Sequence, residues 1–241
     1  MRRFLLIMAM ILCSLQEASA QGSDYMRYRD SAQASSLLYR GRKPLAYKFQ
    51  FNGTYYWDTP DYYLGSVRYN HKDYWCEAIN IDAARQQVLV IEPEGGAQVM
   101  LNRDYVECLT LEGRQFINAA FLAPEVLPEG YYEVIFEGKA RILKHIVKRL
   151  ETVTNERLLD TGEKGTAVLN NVYEVYLPIV TFYYQAPDGT ISQIRRRGDL
   201  LKHYREHRSA LKKIIRAEET EYSIGLEEFI RIVMHYVEYG E

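Results

Sequence analysis

Tyr63-Leu64-Gly65-Ser66-Val67-Arg68-Tyr69, then Asn70-His71-Lys72-Asp73, then Tyr74-Trp75-Cys76-Glu77-Ala78-Ile79-Asn80-Ile81: this stretch decides the fold. Two runs rich in aromatic and β-branched residues flank four polar residues suited to a tight turn, which is the pattern of a β-hairpin. The same rhythm continues through residues 87–91, 97–101 and 106–111, broken by Asp82-Ala83-Ala84-Arg85 and by Glu94-Gly95-Gly96. Short strands at such regular spacing predict an antiparallel meander.

Working outward, Leu45-Ala46-Tyr47-Lys48-Phe49-Gln50-Phe51 alternates with Leu45, Tyr47, Phe49 and Phe51 on one face, and Asn52-Gly53 follows as a hairpin cue. Downstream, strands are expected at 115–121, 131–136 and 140–147, the last two meeting at Glu137-Gly138-Lys139. A polar loop is expected over 151–165, and then a hairpin of 181–186 with 190–195 around Asp188-Gly189. The character changes at Gly198-Asp199, where Asp199 suits the cap of a helix whose apolar stripe runs Leu200, Tyr204, Leu211, Ile214, Ile215. A second helix carries Leu226, Phe229, Ile230, Val233, Met234 and Val237 at helical spacing, with Glu227 and Glu228 in its first turn, where they suit the dipole. The expected fold is therefore α+β: mainly antiparallel sheet, or an incomplete barrel, followed by two C-terminal amphipathic helices from about residue 199.

At the N-terminus, Arg2 and Arg3 precede an apolar run over 4–15 and the small-residue pattern Ala18-Ser19-Ala20. This reads as a secretory signal peptide over 1–20. A loosely held lead segment is expected over 21–36 and a single β-rich domain over 37–241. The apolar run is shorter than the roughly 18 residues a spanning helix needs, so no transmembrane helix is expected in the mature chain. The implied location is the periplasm, the outer-membrane face or the medium. The whole chain has 30 basic and 32 acidic residues. Such a balance supplies no charge excess to hold nucleic acid.

The run Gly65-Ser66-Val67-Arg68-Tyr69-Asn70, then Tyr74, Ile79-Asn80-Ile81-Asp82 and Val88-Leu89-Val90-Ile91 resembles a pattern in exported β-rich proteins of Bacteroidota. The resemblance extends to the late hairpin, the basic strand end, the helix over 198–216 and a final helix ending in His235-Tyr236. It implies export and a β-rich fold. That family carries no assigned activity, so no catalytic residue is transferred. Cys76 and Cys108 lie outside the shared pattern.

Cys76 and Cys108 are the two cysteines left after processing, and in an oxidising compartment they form a candidate disulfide. Closing its loop is worth about 3.5 kcal/mol in the chain-entropy model. His203-Tyr204-Arg205-Glu206-His207 matches the H-x-x-E-H string of inverted zinc peptidases. On one helix, His203 and His207 share a face and can reach one zinc ion, with Glu206 polarising a bound water. Lys202, Arg205, Arg208 and Lys212 surround them and repel a dication. The favoured reading makes both histidines edge residues of the apolar stripe, with no cofactor; zinc belongs to the peptidase alternative only.

Paired aromatics form a third candidate. Neighbours on a strand face opposite ways, so Tyr56, Trp57, Tyr63, Trp75, Tyr132 and Tyr184 are candidates for an exposed ring platform. Ordinary core packing on both faces is the competing reading. Arg195-Arg196-Arg197 is suited to a carboxylate, a phosphate or an anionic headgroup, or serves as a solvated edge that discourages sheet association. The functional expectation is a non-enzymatic exported envelope protein that binds or scaffolds a partner, whether an envelope protein, a peptide or a glycan.

Overall fold

A computed structural model describes residues 36–47, 51–154, 172–218 and 224–240. The expected signal peptide, and all of the lead segment except Ser36, lie outside the described residues. Among the described residues, ten strands form one antiparallel sheet: β1 (Tyr63–Tyr69), β2 (Lys72–Asp82), β3 (Gln87–Ile91), β4 (Gln98–Met100), β5 (Val106–Leu111), β6 (Arg114–Asn118), β7 (Tyr131–Glu137), β8 (Arg141–Thr154), β9 (Val172–Gln185) and β10 (Ile191–Ile194). Their order is β10-β9-β8-β7-β6-β5-β1-β2-β3-β4. Every neighbour pair but one is consecutive in the chain. The exception is β1, which pairs with both β2 and β5, because the chain returns from the β4 edge through a 3-10 turn at Arg103–Tyr105. The expected meander is thus closed into a Greek-key-like return.

The sheet curls. Ala83 and Gln86, in the turn between β2 and β3, touch strands five positions away: Lys148 donates its N–H to Ala83 O at 3.1 Å, and Gln86 Nε2 donates to Ile146 O at 2.9 Å. In a flat sheet those strands would be roughly 24 Å apart at the usual strand spacing. One apolar cluster fills the curl, built on Val67, Ile79, Ile81, Val88, Val90, Leu109 and Phe116. Burying such side chains contributes about 1.5–3 kcal/mol each relative to exposure.

The C-terminal helices cover β8–β10. They are α2 (Arg197–Leu201), α3 (Arg208–Glu218) and α4 (Leu226–Tyr239); the short α1 (Ala119–Leu122) lies earlier in the chain. Leu200, Leu211, Phe229, Ile230, Val233 and Met234 pack on Ile142, Phe182, Tyr184 and Ile194. These include the stripe residues legible in the sequence. Asp199 is not the N-cap, however. It occupies the third helical position, and its Oδ2 accepts from the N–H groups of Arg195 and Arg196, each at 3.2 Å. The stripe also breaks into two helices across residues 202–207, where turns replace helix.

Three strand expectations change. Residues 119–122 are helical because Asn118 Oδ1 caps them, accepting from Ala120 N–H at 3.0 Å. β8 and β9 run well past the expected 147 and begin well before 181, forming a 14-residue pairing. Leu45–Tyr47 and Phe51 lie in no strand, with 48–50 outside the described residues. Asn52 is no hairpin turn; it bridges β9 in parallel, donating to Glu174 O at 2.8 Å and accepting from Tyr176 N–H at 3.2 Å.

A β-bulge divides β2. Cys76 has φ 56°, and the register with β1 slips between Gly65/Ser66. Tyr74 points inward before the bulge, and Glu77, Ile79 and Ile81 point inward after it. The extra residue reverses the alternation.

Candidate functional site

Segment 36–42 builds the candidate site. Ser36 caps a 3-10 turn at Leu37–Tyr39, Leu38 is buried in the curled core, and the Tyr39 hydroxyl donates to Glu77 Oε2. So anchored, the chain runs along β4: Met100 N–H donates to Arg42 O at 2.7 Å. Gly41 permits the approach, since a side chain there would meet Met100 O at 2.3 Å. The segment covers an edge strand that would otherwise offer open backbone groups.

Between this segment, the end of β1 and the turn after β4 lies a cleft of about 590 Å³. Arg40, Arg42 and Arg103 bring three guanidinium groups to it against the single carboxylate of Asp104. Tyr69 and Tyr105 supply ring surface, edge to face at 6.0 Å. The turn is held from below: Asn118 Nδ2 donates to Arg103 O at 2.9 Å and to Val106 O at 2.7 Å, and Asn70 N–H donates to Tyr105 O at 2.8 Å. Arg103 is fixed by Glu129 at 2.7 Å. Arg40 and Arg42 are exposed and make no ion pair among the described residues. Tyr131 lies buried in the core near Arg103, Asp104 and Tyr69; burial pushes its hydroxyl well above the usual range, and the oxygen has no hydrogen-bond partner among the described residues.

Elsewhere, buried ionisable groups are tied into the fold. Asp82 accepts from the Tyr47 hydroxyl at 2.6 Å and from the N–H groups of Ala84 at 3.0 Å and Arg85 at 2.9 Å. Burial raises its carboxyl against those stabilising bonds. Tyr47 stacks on Tyr55 at 4.0 Å and lies under the Arg85 guanidinium at 3.8 Å. His145 stacks on Tyr132 at 4.4 Å, faces Gln86 Oε1 at 3.2 Å, and is held neutral, its pKa lowered to about 4 by burial.

Glu133 and Lys144 form an ionic seam with Glu227 of α4. Lys144 Nζ lies 3.8 Å from Glu133 Oε2 and 2.7 Å from Glu227 Oε2, while Arg114 stands 3.9 Å from the other Glu133 oxygen. The seam ties β7 and β8 of the sheet to α4.

The residues singled out in the sequence fare differently. His203 stacks on Tyr184 at 4.1 Å, with Nε2 3.4 Å from Ser192 Oγ. His207 sits edge-on to Tyr236 at 6.1 Å, with Glu206 Oε1 3.6 Å from its Nε2. The two histidines lie in the turn segment, where a shared helical face is lost, and they engage different rings. Among the described residues, no group of three or more His, Cys, Asp and Glu side chains is arranged to hold a metal.

No disulfide joins Cys76 and Cys108. They lie on β2 and β5, the strands flanking β1 on opposite sides. That places them about two strand spacings apart, roughly 9.5 Å, beyond the ~7 Å Cα limit for a bridge.

Of the expected ring platform, Tyr56, Trp57, Tyr132 and Tyr184 are buried and Tyr63 is half-buried. Trp75 is exposed, at 44%. Tyr56 and Trp57 are drawn in because their segment is bonded to the end of β2: Trp57 N–H donates to Ile81 O and Ala83 N–H to Tyr55 O, both at 2.9 Å. Helices cover Tyr184, and the turn after α1 covers Tyr132.

The cleft itself was not legible, because Arg40 and Arg42 meet Arg103 only through the docking of a segment without periodicity. Among the described residues, no helix is long and apolar enough to cross a membrane. In comparisons with known proteins, no family model, curated protein or solved structure matches the chain.

Proposed function

We propose that the chain is a non-enzymatic exported envelope protein that binds a carboxylate-bearing partner, a peptide or a glycan, in the cleft beside segment 40–42. The observation that carries this reading is the convergence of Arg40, Arg42 and Arg103 with Tyr69 and Tyr105 around one cavity. Guanidinium groups take carboxylates in two-pronged hydrogen bonds, and tyrosine rings give flat surface to a sugar or side chain. The volume lies within the ~300–1,000 Å³ typical of ligand sites. Asp82, Glu133 and His145 support a binding rather than a catalytic role, because each is committed to internal partners away from the cleft.

The test is calorimetric titration of the mature chain with oligogalacturonates and with glutamate-rich peptides, repeated on Arg40→Ala/Arg42→Ala. Loss of tenfold or more in affinity, equivalent to about 1.4 kcal/mol or more, is expected for whichever probe binds. Binding that is indifferent to the double substitution, or absent for both probe classes, rejects the reading.

A further inference from the structure

The stretch from Arg195 to Lys213 holds eight basic residues against two acidic ones, Asp199 and Glu206, in a chain that is otherwise slightly acidic. The fold gathers four of these charges, those of Arg196, Lys202, Arg205 and Arg208. β10 ends at Ile194, α2 starts at Arg197, and the turns over 202–207 bring the chain back past its own start. A cavity of about 450 Å³ results, lined by Arg196, Lys202, Arg205 and Arg208 with only Gly198 and Leu201 between them.

Asp199 organises this cluster from one side. Its carboxylate lies 3.0 Å from Lys202 Nζ and 3.6 Å from Arg196 Nε, besides bonding two backbone N–H groups, and these interactions hold it ionised below the usual carboxylate range. Arg205 and Arg208 are exposed, make no ion pair among the described residues, and stand across the same cavity. Asp199 compensates Arg196 and Lys202, which leaves Arg205 and Arg208 facing the cavity without an acid of their own, and these two repel each other unless an anion sits between them.

We infer that this cavity is an anion site for a phosphate monoester or pyrophosphate group. A single carboxylate brings one charge, whereas a phosphate monoester brings about −1.5 to −2 at neutral pH and three acceptor oxygens. Forked guanidinium donors and the Lys202 ammonium match that oxygen set. The inference goes beyond the cleft at Arg40 and Arg42, with which it shares no residue, so either stands if the other fails.

The group has two sources, a membrane headgroup or a soluble phosphate ester, and the experiment separates them. The mature chain is titrated with pyrophosphate, and in parallel sedimented with phosphatidylcholine vesicles with and without phosphatidic acid. Arg205→Glu/Arg208→Glu is the disabling variant, and Arg205→Lys/Arg208→Lys keeps the charge while removing the forks. Both positions are exposed, and matching thermal midpoints establish that the variants fold.

Binding to either probe that falls at least tenfold in the glutamate variant, and far less in the lysine variant, supports the site. Phosphatidic acid-dependent sedimentation, competed by pyrophosphate, identifies a headgroup. Pyrophosphate binding without sedimentation identifies a soluble ester. No binding to either probe, or binding equal in wild type and the glutamate variant, overturns the inference.

Discussion

Replacing Lys144 by Met removes the cation at the centre of the seam between the sheet and α4. The Lys144 side chain is 14% exposed and that of Glu133 is 6% exposed, so neither charge is well solvated. At an effective dielectric of about 20, a unit charge pair near 4 Å interacts by roughly 4 kcal/mol, most of it offset by desolvation while the pair is intact. Without Lys144 the desolvation of Glu133 remains and the compensation falls to Arg114 at 3.9 Å. Breaking such a pair costs about 3–5 kcal/mol, and the surviving guanidinium places this case near the lower end. For a chain of this size, about 3 kcal/mol corresponds to roughly 6–12 °C in Tm.

The double variant Lys144→Met/Glu133→Leu leaves no buried charge unpaired, since Arg114 is half exposed and lies over the Trp57 ring and Glu227 keeps Arg231, and it is expected within about 1 kcal/mol of wild type in urea denaturation. A pH series adds a sign. Burial already holds the Glu133 carboxyl above its ordinary 4.5, and loss of Lys144 raises it further. The cost of Lys144→Met is therefore largest near neutrality and shrinks as pH falls through the raised folded value toward 4.5. A double variant as unstable as the single one, or a single cost below about 1 kcal/mol, refutes the argument.

His145 gives the opposite slope. Its folded pKa of about 4 lies below the ordinary 6.5, so its neutral form contributes stability that is full above 6.5 and lost as pH falls toward 4. About 3 kcal/mol of acid sensitivity follows. His145→Phe, which keeps the ring on Tyr132, should remove that share of the urea-midpoint shift between pH 7 and pH 4; parallel curves would sink the assignment. At Asp82, Ala strands three donors while Asn keeps an oxygen for the N–H groups of Ala84 and Arg85. Chemical denaturation should place Asp82→Ala about 3 kcal/mol below wild type and Asp82→Asn about 1; equal losses would mean that the turn does not depend on those bonds.

The hairpins of β1 with β2 and β9 with β10 were legible because their strands are rich in aromatic and β-branched residues and their turns carry the expected polar or Asp-Gly residues. The apolar positions of α4 were legible because one helix face meets the sheet. The outer half of the β8–β9 hairpin was not, since Lys148, Arg149 and Glu151 interrupt any apolar rhythm there. Local signals also misled. Asn118 converts the end of a strand-like run into a helical turn, and residues 202–207 break a stripe that reads as one helix. At the sites, pairing order decided the outcome: β1 lies between Cys76 and Cys108, and the joined charges come from distant parts of the chain.

The bulge at Cys76 gives β2 two reading phases. A substitution scan along this strand should trace a period-two pattern of tolerance that is even-numbered and intolerant at Tyr74, then odd-numbered and intolerant at Glu77, Ile79 and Ile81. Cys76 is the punctuation between them, and its value lies in being counted rather than in its sulfur. Deleting that one residue would fuse the two phases into one regular alternation with Tyr74, Glu77, Ile79 and Ile81 on a single face, whereas deleting a residue beyond it, such as Ala78, would turn the rest of the strand over and present Ile79 and Ile81 to water.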